Sequence, residues 1–110
     1  MAYDETLASR VRDALKRRRG VSEKKMFGGL AFMVRGHMCC GINGEELMVR
    51  VGPDRYAEAL ASPHAREMDF TGRPLKGFVF VSPEGCTSKR ALESWVERGI
   101  RFARSLPAKS

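Results

Sequence analysis

His37, Cys39, Cys40 and Cys86 are the side chains of this 110-residue chain whose types suit a metal, and His37 and Cys39, two apart, point the same way along a strand. Cys39 and Cys40, being adjacent, project to opposite faces of a strand and cannot clamp one ion without a bulge. A structural zinc site takes four convergent ligands, typically from cysteine pairs two to four residues apart. The spacing therefore predicts no metal site, with Cys40 a small core residue and His37 a turn residue. Three cysteines without a CxxC also point away from a secreted disulfide framework and toward a reducing compartment.

Other constellations fail on the chemistry they need. Gly72 to Gly77 has the length of a phosphate loop, but Phe78 and Val79 stand where Lys and Ser/Thr would have to reach phosphate and magnesium. Gly28 and Gly29 lead into a strand and not a helix, so no helix N-terminus is offered to a pyrophosphate, and they read as a bulge or bend at the start of a sheet. Nucleophilic catalysis needs a base within hydrogen-bond reach. The two histidines lie beside a turn (His37) and after a proline (His64), and there is no G-x-S-x-G elbow. Glu45 and Glu46 adjoin a turn and are solvated. The expectation is a protein without catalytic residues, cofactor or metal.

Charge is more informative. The net +7 is carried by the ends: residues 1–25 hold eight Lys/Arg against four Asp/Glu, residues 86–110 six against two, and the middle sums to −1. Arg17, Arg18 and Arg19 fall where a helix C-terminus attracts cations whether or not they bind anything. Lys24 and Lys25 lie beyond that helix, where no dipole accounts for them. These five are the candidate contacts to a phosphate backbone or an acidic partner. No helix-turn-helix, zinc finger or RNA-reading aromatic motif accompanies them, so any nucleic-acid binding would be non-specific.

The elements that must position these residues follow from periodicity and turn chemistry. Asp4 is a plausible N-cap, and Leu7, Ala8, Val11, Ala14 and Leu15 mark one face of a helix running to about Arg19. Residues 26–51 read as a glycine-broken start and three strands. Asn43-Gly44 is the hairpin signal of a type I′ turn. Its loop is two residues long, pairing Cys40 with Leu47, or four, pairing Cys40 with Val49. Either way Met38, Cys40, Ile42, Leu47, Val49 and Val51 share the core face, and His37, Cys39, Gly41, Met48 and Arg50 the other. For the first hairpin, a three-residue loop Arg35–His37 is preferred over Arg35-Gly36 because it buries Leu30, Phe32 and Val34. A short helix Asp54–Ala61 follows, then strands near Met68–Phe70 and over Gly77–Ser82. A last helix, capped by Thr87 or Ser88, carries Leu92, Trp95, Val96, Gly99, Phe102, Ala103 and Leu106 on one stripe, with Gly99 marking a close backbone approach.

The expected fold is therefore α+β: two layers, an antiparallel sheet with helices on one face, order α-β-β-β-α-β-β-α, in a single domain over 1–110 with an ordered core of about 4–106. The longest uninterrupted apolar stretch, Leu30–Val34, is far too short to span a bilayer, so a soluble cytoplasmic protein without membrane contact is expected. Apolar Met33, Met48 and Cys39 on the face opposite the helices suggest a homodimer through the sheet.

Met26-Phe27-Gly28-Gly29, the turns at Gly36 and Asn43-Gly44, the run Leu47–Val51, the stretch Gly77–Pro83 and the Trp95 helix together resemble the N-terminal domain of the TfoX/Sxy family. That family is linked to regulation of DNA-transformation competence, and its longer members carry a second, C-terminal domain. The resemblance covers nearly the whole chain and implies a non-catalytic regulatory or protein-interaction module with a protein partner. It names no reaction.

Overall fold

The structure is a computed structural model that describes residues 3–26, 29–69 and 74–107. Helix α1 (Glu5–Leu15) opens on Asp4, whose carboxylate accepts from the Thr6 and Leu7 N–H groups at 2.8 and 3.2 Å, and it buries Leu7, Ala8, Val11 and Leu15. It stops at Leu15 and not Arg19. The Arg18 N–H closes a tight bond to the Leu15 carbonyl at 2.9 Å, and Gly20, at φ 74°, turns the chain into a strand.

Six strands follow among the described residues: β1 (Val21–Met26), β2 (Gly29–Val34), β3 (His37–Asn43), β4 (Glu46–Arg50), β5 (Ala65–Asp69) and β6 (Pro74–Val81). They form one sheet in the order β1-β2-β3-β4-β6-β5, antiparallel throughout. Helix α2 (Tyr56–Leu60) is entered through a 3₁₀ turn at Pro53–Arg55, and α3 (Lys89–Ser105) begins where Ser88 Oγ accepts from the Ala91 N–H at 3.0 Å. The two-layer α+β architecture and the expected element order hold, with β1 added ahead of the three anticipated strands. β1 is an edge strand with Ser22, Glu23, Lys24 and Lys25 exposed, so it has no apolar periodicity to read. Phe70, expected at the end of a strand, and residues 71–73 of the expected loop lie outside the described residues.

The helices share one face. Against them lie Leu30, Phe32 and Val34 from β2, Cys40 and Ile42 from β3, Leu47 and Val49 from β4, and Val79 and Val81 from β6, in one cluster with Leu7, Val11, Ala59, Leu92, Trp95, Val96 and Ile100. The opposite face has its own smaller cluster of Ala31, Met38, Met48, Met68 and Phe80, with Met33 and Phe78 half-buried beside it.

A bulge at Cys39 corrects the expected parity. The β2–β3 loop is the two-residue Arg35-Gly36, with Val34 opposite His37 and both loop residues at positive φ (54° and 86°), as a type I′ turn requires. Met33 then pairs with Met38, but Phe32 pairs with Cys40, so Cys39 is the extra residue. The bulge resets the phase: Leu30, Phe32 and Val34 reach the core as expected, Met38 moves to the open face, and Cys39 joins Cys40 on the helix side. Cys39 and Met48 are therefore buried and not in water, and only Met33 of the residues expected on an apolar patch keeps partial exposure. In the next hairpin Cys40 pairs with Val49 and Ile42 with Leu47, the longer-loop register, with Asn43 also opposite Glu46. The loop is thus Gly44-Glu45, one residue on from the expected turn, and Asp4 N–H holds the Gly44 carbonyl at 2.7 Å.

Gly99 carries the close approach foreseen for it: a Cβ there would lie 2.3 Å from the Cys39 carbonyl oxygen. Gly99→Ala is expected to cost about 1–3 kcal/mol or more, because the obstacle is backbone. Ser94→Ala, on the exposed side of the same helix, should stay within about 0.5 kcal/mol. Leu47, fully buried, should cost about 2–5 kcal/mol when cut to Ala. Urea titration of the three variants checks the ranking, and a Leu47→Ala cost below about 1 kcal/mol would contradict its place in the core.

Candidate interaction surface

The five candidate cations are distributed unequally. Arg17 and Arg19 are exposed in the turn after α1, and Arg18 between them is half-buried and bonds to Glu97 of α3. Arg18 therefore ties two helices together and is removed from the free set. Lys24 and Lys25 sit on β1 opposite Ala31 and Leu30. Ala31 belongs to the open-face cluster and Leu30 to the helix-side core, so the two lysines leave the sheet on opposite faces.

The fold adds cations that the linear reading did not group with them. Arg35, in the β2–β3 turn, is held against the end of α1's connection by its N–H to the Gly20 carbonyl at 2.9 Å. On α3, Arg101 and Arg104 follow Glu97 at i+4 and i+7, on the face that receives Arg18. Arg17, Arg19, Arg35, Arg101 and Arg104 thus converge on one end of the molecule. All five are exposed, and among the described residues none has an ion-pair partner. The signal available in the sequence was the helical spacing of Arg101 and Arg104, but their nearness to Arg19 depends on how α1 and α3 pack.

Several other cations are spoken for. Arg12 makes a two-pronged pair with Glu23 of β1, at 2.7 and 3.0 Å, and Lys16 pairs with Asp13 at 3.0 Å. Arg66 pairs with Glu46 across the sheet and lies 4.6 Å above the Phe80 ring, and Arg50 is stacked between Phe78 and Phe102 at 5.4 and 5.0 Å. These arginines lay apolar stems over the open face while their charged heads reach water.

A cleft of about 650 Å³ opens between the Pro53–Arg55 turn with α2 and the flank of α3, over Val51, Gly52 and Phe102. Its charges largely answer each other. Arg55 faces Glu58 at 3.7 Å, Glu97 is taken by Arg18, and Arg98 rests 4.4 Å over Trp95, leaving Arg101 as the cation open to a partner from this side.

The thiols are buried. Cys39 Sγ donates weakly to the Val96 carbonyl of α3 at 3.8 Å, and the Cys40 thiol is pushed well above its ordinary range by contact with Cys39 and by burial. Cys39 and Cys40 thus share a side after all. Among the described residues no three His, Cys, Asp or Glu side chains gather as a metal set. His37 is not a ligand candidate in this geometry: its Nε2 lies 2.5 Å from the Pro107 carbonyl, just past α3. Of the sequence motif, Phe27 and Gly28 lie outside the described residues and Met26 is described in its backbone alone. Gly29 explains its own place, since a Cβ there would stand 2.0 Å from the Ile42 carbonyl oxygen.

A two-layer α+β domain, with an open antiparallel sheet, helices on one face and a cationic end, is the class of protein these features define. The sequence matches the TfoX N-terminal domain over residues 13–103, most of its length, and the chain belongs to that family. None of the curated proteins and none of the solved structures compared matches it. Among the described residues no helix is long and apolar enough to cross a membrane.

Two outcomes follow from the geometry. Arg18→Ala should lower stability by about 0.5–1 kcal/mol, the range of a partly exposed ion pair, whereas Arg17→Ala and Arg19→Ala should be near neutral in thermal melts. Burial lifts the Cys86 thiol to about 11, against about 8.5 in an unfolded chain. The folded state therefore holds a proton that the unfolded state has released, so stability is full below roughly pH 8.5 and falls as pH rises toward 11. Iodoacetamide at pH 8 should label Cys39, Cys40 and Cys86 no faster than global unfolding exposes them, read by mass spectrometry.

Proposed function

We propose that this TfoX-type domain is a non-catalytic, cytoplasmic regulatory module that docks an acidic protein partner on its cationic end. The observation that carries the reading is the sorting of the arginines. Those that seal the fold have acids or rings to meet, while Arg17, Arg19, Arg35, Arg101 and Arg104 stand exposed together, without a close ion pair among the described residues. Charge clustered at one end of a domain steers an oppositely charged surface into a defined orientation. Guanidinium groups suit carboxylates, which they bind with two parallel hydrogen bonds.

A second reading keeps the same cations and replaces the acidic protein with the phosphates of nucleic acid. It has less to stand on, because the cations occupy one end instead of a long track and, among the described residues, no exposed aromatic lies beside them for bases to stack on.

The deciding measurement is capture of partners from the protein's own cells, with and without nuclease, by the unaltered chain and by a variant with Arg17, Arg19, Lys24 and Lys25 changed to Ser. A protein retained after nuclease and lost with the variant is the expected result, and the variant should melt within a few degrees of the parent because the four side chains are exposed. Tight binding to random duplex at physiological salt would favour the second reading. In that case log K against log salt should have a slope near −3.6 for about four engaged phosphates, flattened in the variant.

A further inference from the structure

We propose that the free edge of β1 is the docking line itself, and that it receives an acidic, extended peptide segment by strand addition. This rests on the acidic-partner reading above and adds the mode of recognition.

The sheet has two outer strands, and they are not alike. β5 carries a register shift between Glu67 and Asp69, has α2 packed beside it, and commits Arg66 to Glu46. A bulge of that kind blunts an edge. β1 pairs with β2 in unbroken register over its whole length, and Ser22, Glu23, Lys24 and Lys25 are exposed.

The phase of its hydrogen bonds is also fixed. The Arg35 N–H bonds to the Gly20 carbonyl at 2.9 Å. Alternation along an antiparallel pair then turns the backbone groups of Ser22 and Lys24 toward β2 and those of Val21, Glu23 and Lys25 outward. These outward donors and acceptors are what an added strand would bond.

Charge selects the occupant. The acid on the strand, Glu23, is covered by the two-pronged contact from Arg12, which reaches it from the helix side. What remains for a neighbour is Lys25 on that side and Lys24 on the other, with Arg19 and Arg17 just before the strand begins. Residues directly opposite in adjacent strands lie on the same face. A segment with two consecutive acids would therefore meet both lysines at once, one on each face. A second copy of the chain fits poorly. Two-fold antiparallel pairing keeps the faces matched: of the two registers that overlap most of β1, one sets Glu23 against Glu23, and the other sets Lys24 against Lys24 and opposes to each Lys25 a Glu23 that Arg12 already holds.

The test uses the whole chain and a labelled probe, acetyl-Thr-Val-Glu-Glu-Thr-Val-Thr-amide, followed by fluorescence anisotropy. Comparison probes replace the two Glu by Gln, or N-methylate alternate amides in one phase or in the other. Strand addition expects methylation in one phase to abolish binding and in the other to leave it nearly unchanged, because an added strand turns only alternate amides toward β1. It also expects Lys25→Ala to weaken binding about threefold through lost charge. Lys25→Pro, which removes the outward N–H as well, should weaken it about tenfold further. If Lys25→Pro does not fold, the methylated pair decides on the unaltered protein.

Glu-dependent binding that is insensitive to methylation in both phases would overturn strand addition and leave the acidic-partner reading standing. Binding to random duplex with none to any peptide would remove both. A dimer seen in sedimentation and dispersed by Lys25→Pro would put a second copy on the edge and overturn the peptide assignment.

Discussion

The close contact between Gly99 on α3 and the Cys39 carbonyl on β3 is the constraint on which much of the structure depends. It seats the longest helix directly on the centre of the sheet, where a side chain of any size would hold it away. It also falls at the bulge, which is where the sheet changes phase. The type I′ turn at Arg35-Gly36 alone would set Ala31 and Met33 on the helix side with Cys40 and Ile42. One inserted residue gives the core Leu30, Phe32 and Val34 instead. The backbone irregularity is thus placed under the helix that touches it, and the Cys39 thiol turns into the Val96 carbonyl and not into water.

The open face shows how a sheet with helices on one side alone can still bury apolar groups on both. Met38, Met48, Met68 and Phe80 are flexible or flat side chains, and Arg66 lies across the Phe80 ring with its charge answered by Glu46. Arg50 reaches around the end of β4 to contact Phe78 on this face and Phe102 of α3, joining the small cluster to the helical layer. The guanidinium groups gain from the rings electrostatically while their stems exclude water from the methionines. An apolar sheet face inferred from alternation is therefore not an exposed one.

Most of the architecture was legible because burial repeats. The Asp4 and Ser88 caps, the stripe on α3, and Leu47, Val49, Val79 and Val81 on the core face all follow from spacing, and the family resemblance agrees with the match over residues 13–103. What escaped was set by contacts distant in sequence. β1 has three consecutive charged residues because one side of it is solvent, so nothing in VSEKKM repeats with period two. The Cys39 bulge leaves a mark at Gly99, sixty residues away, and none in its own strand. The candidate surface was half legible: Arg17, Arg19, Lys24 and Lys25 stand out as a charge run, while Arg101 and Arg104 join Arg17 and Arg19 through the packing of α1 on α3, and Arg35 through its bond to the Gly20 carbonyl.

The run Arg17-Arg18-Arg19 shows how one stretch of like charge takes two roles. Had α1 continued to Arg19, helical spacing would have spread the three guanidinium groups around its axis, near the negative end of its dipole. Ending at Leu15 frees them from that geometry. The chain must turn back to start β1 within a few residues, and in that turn Arg18 faces inward to Glu97 while its neighbours face out. The ion pair ties the connection to α3, while Gly20 at positive φ and its carbonyl's bond from the Arg35 N–H set the turn into β1, so Arg17 and Arg19 flank a connection held at both ends. A cation used for folding thereby positions the cations left over for a partner, which is why the surface belongs to this arrangement of α1, β1 and α3 and not to the basic run alone.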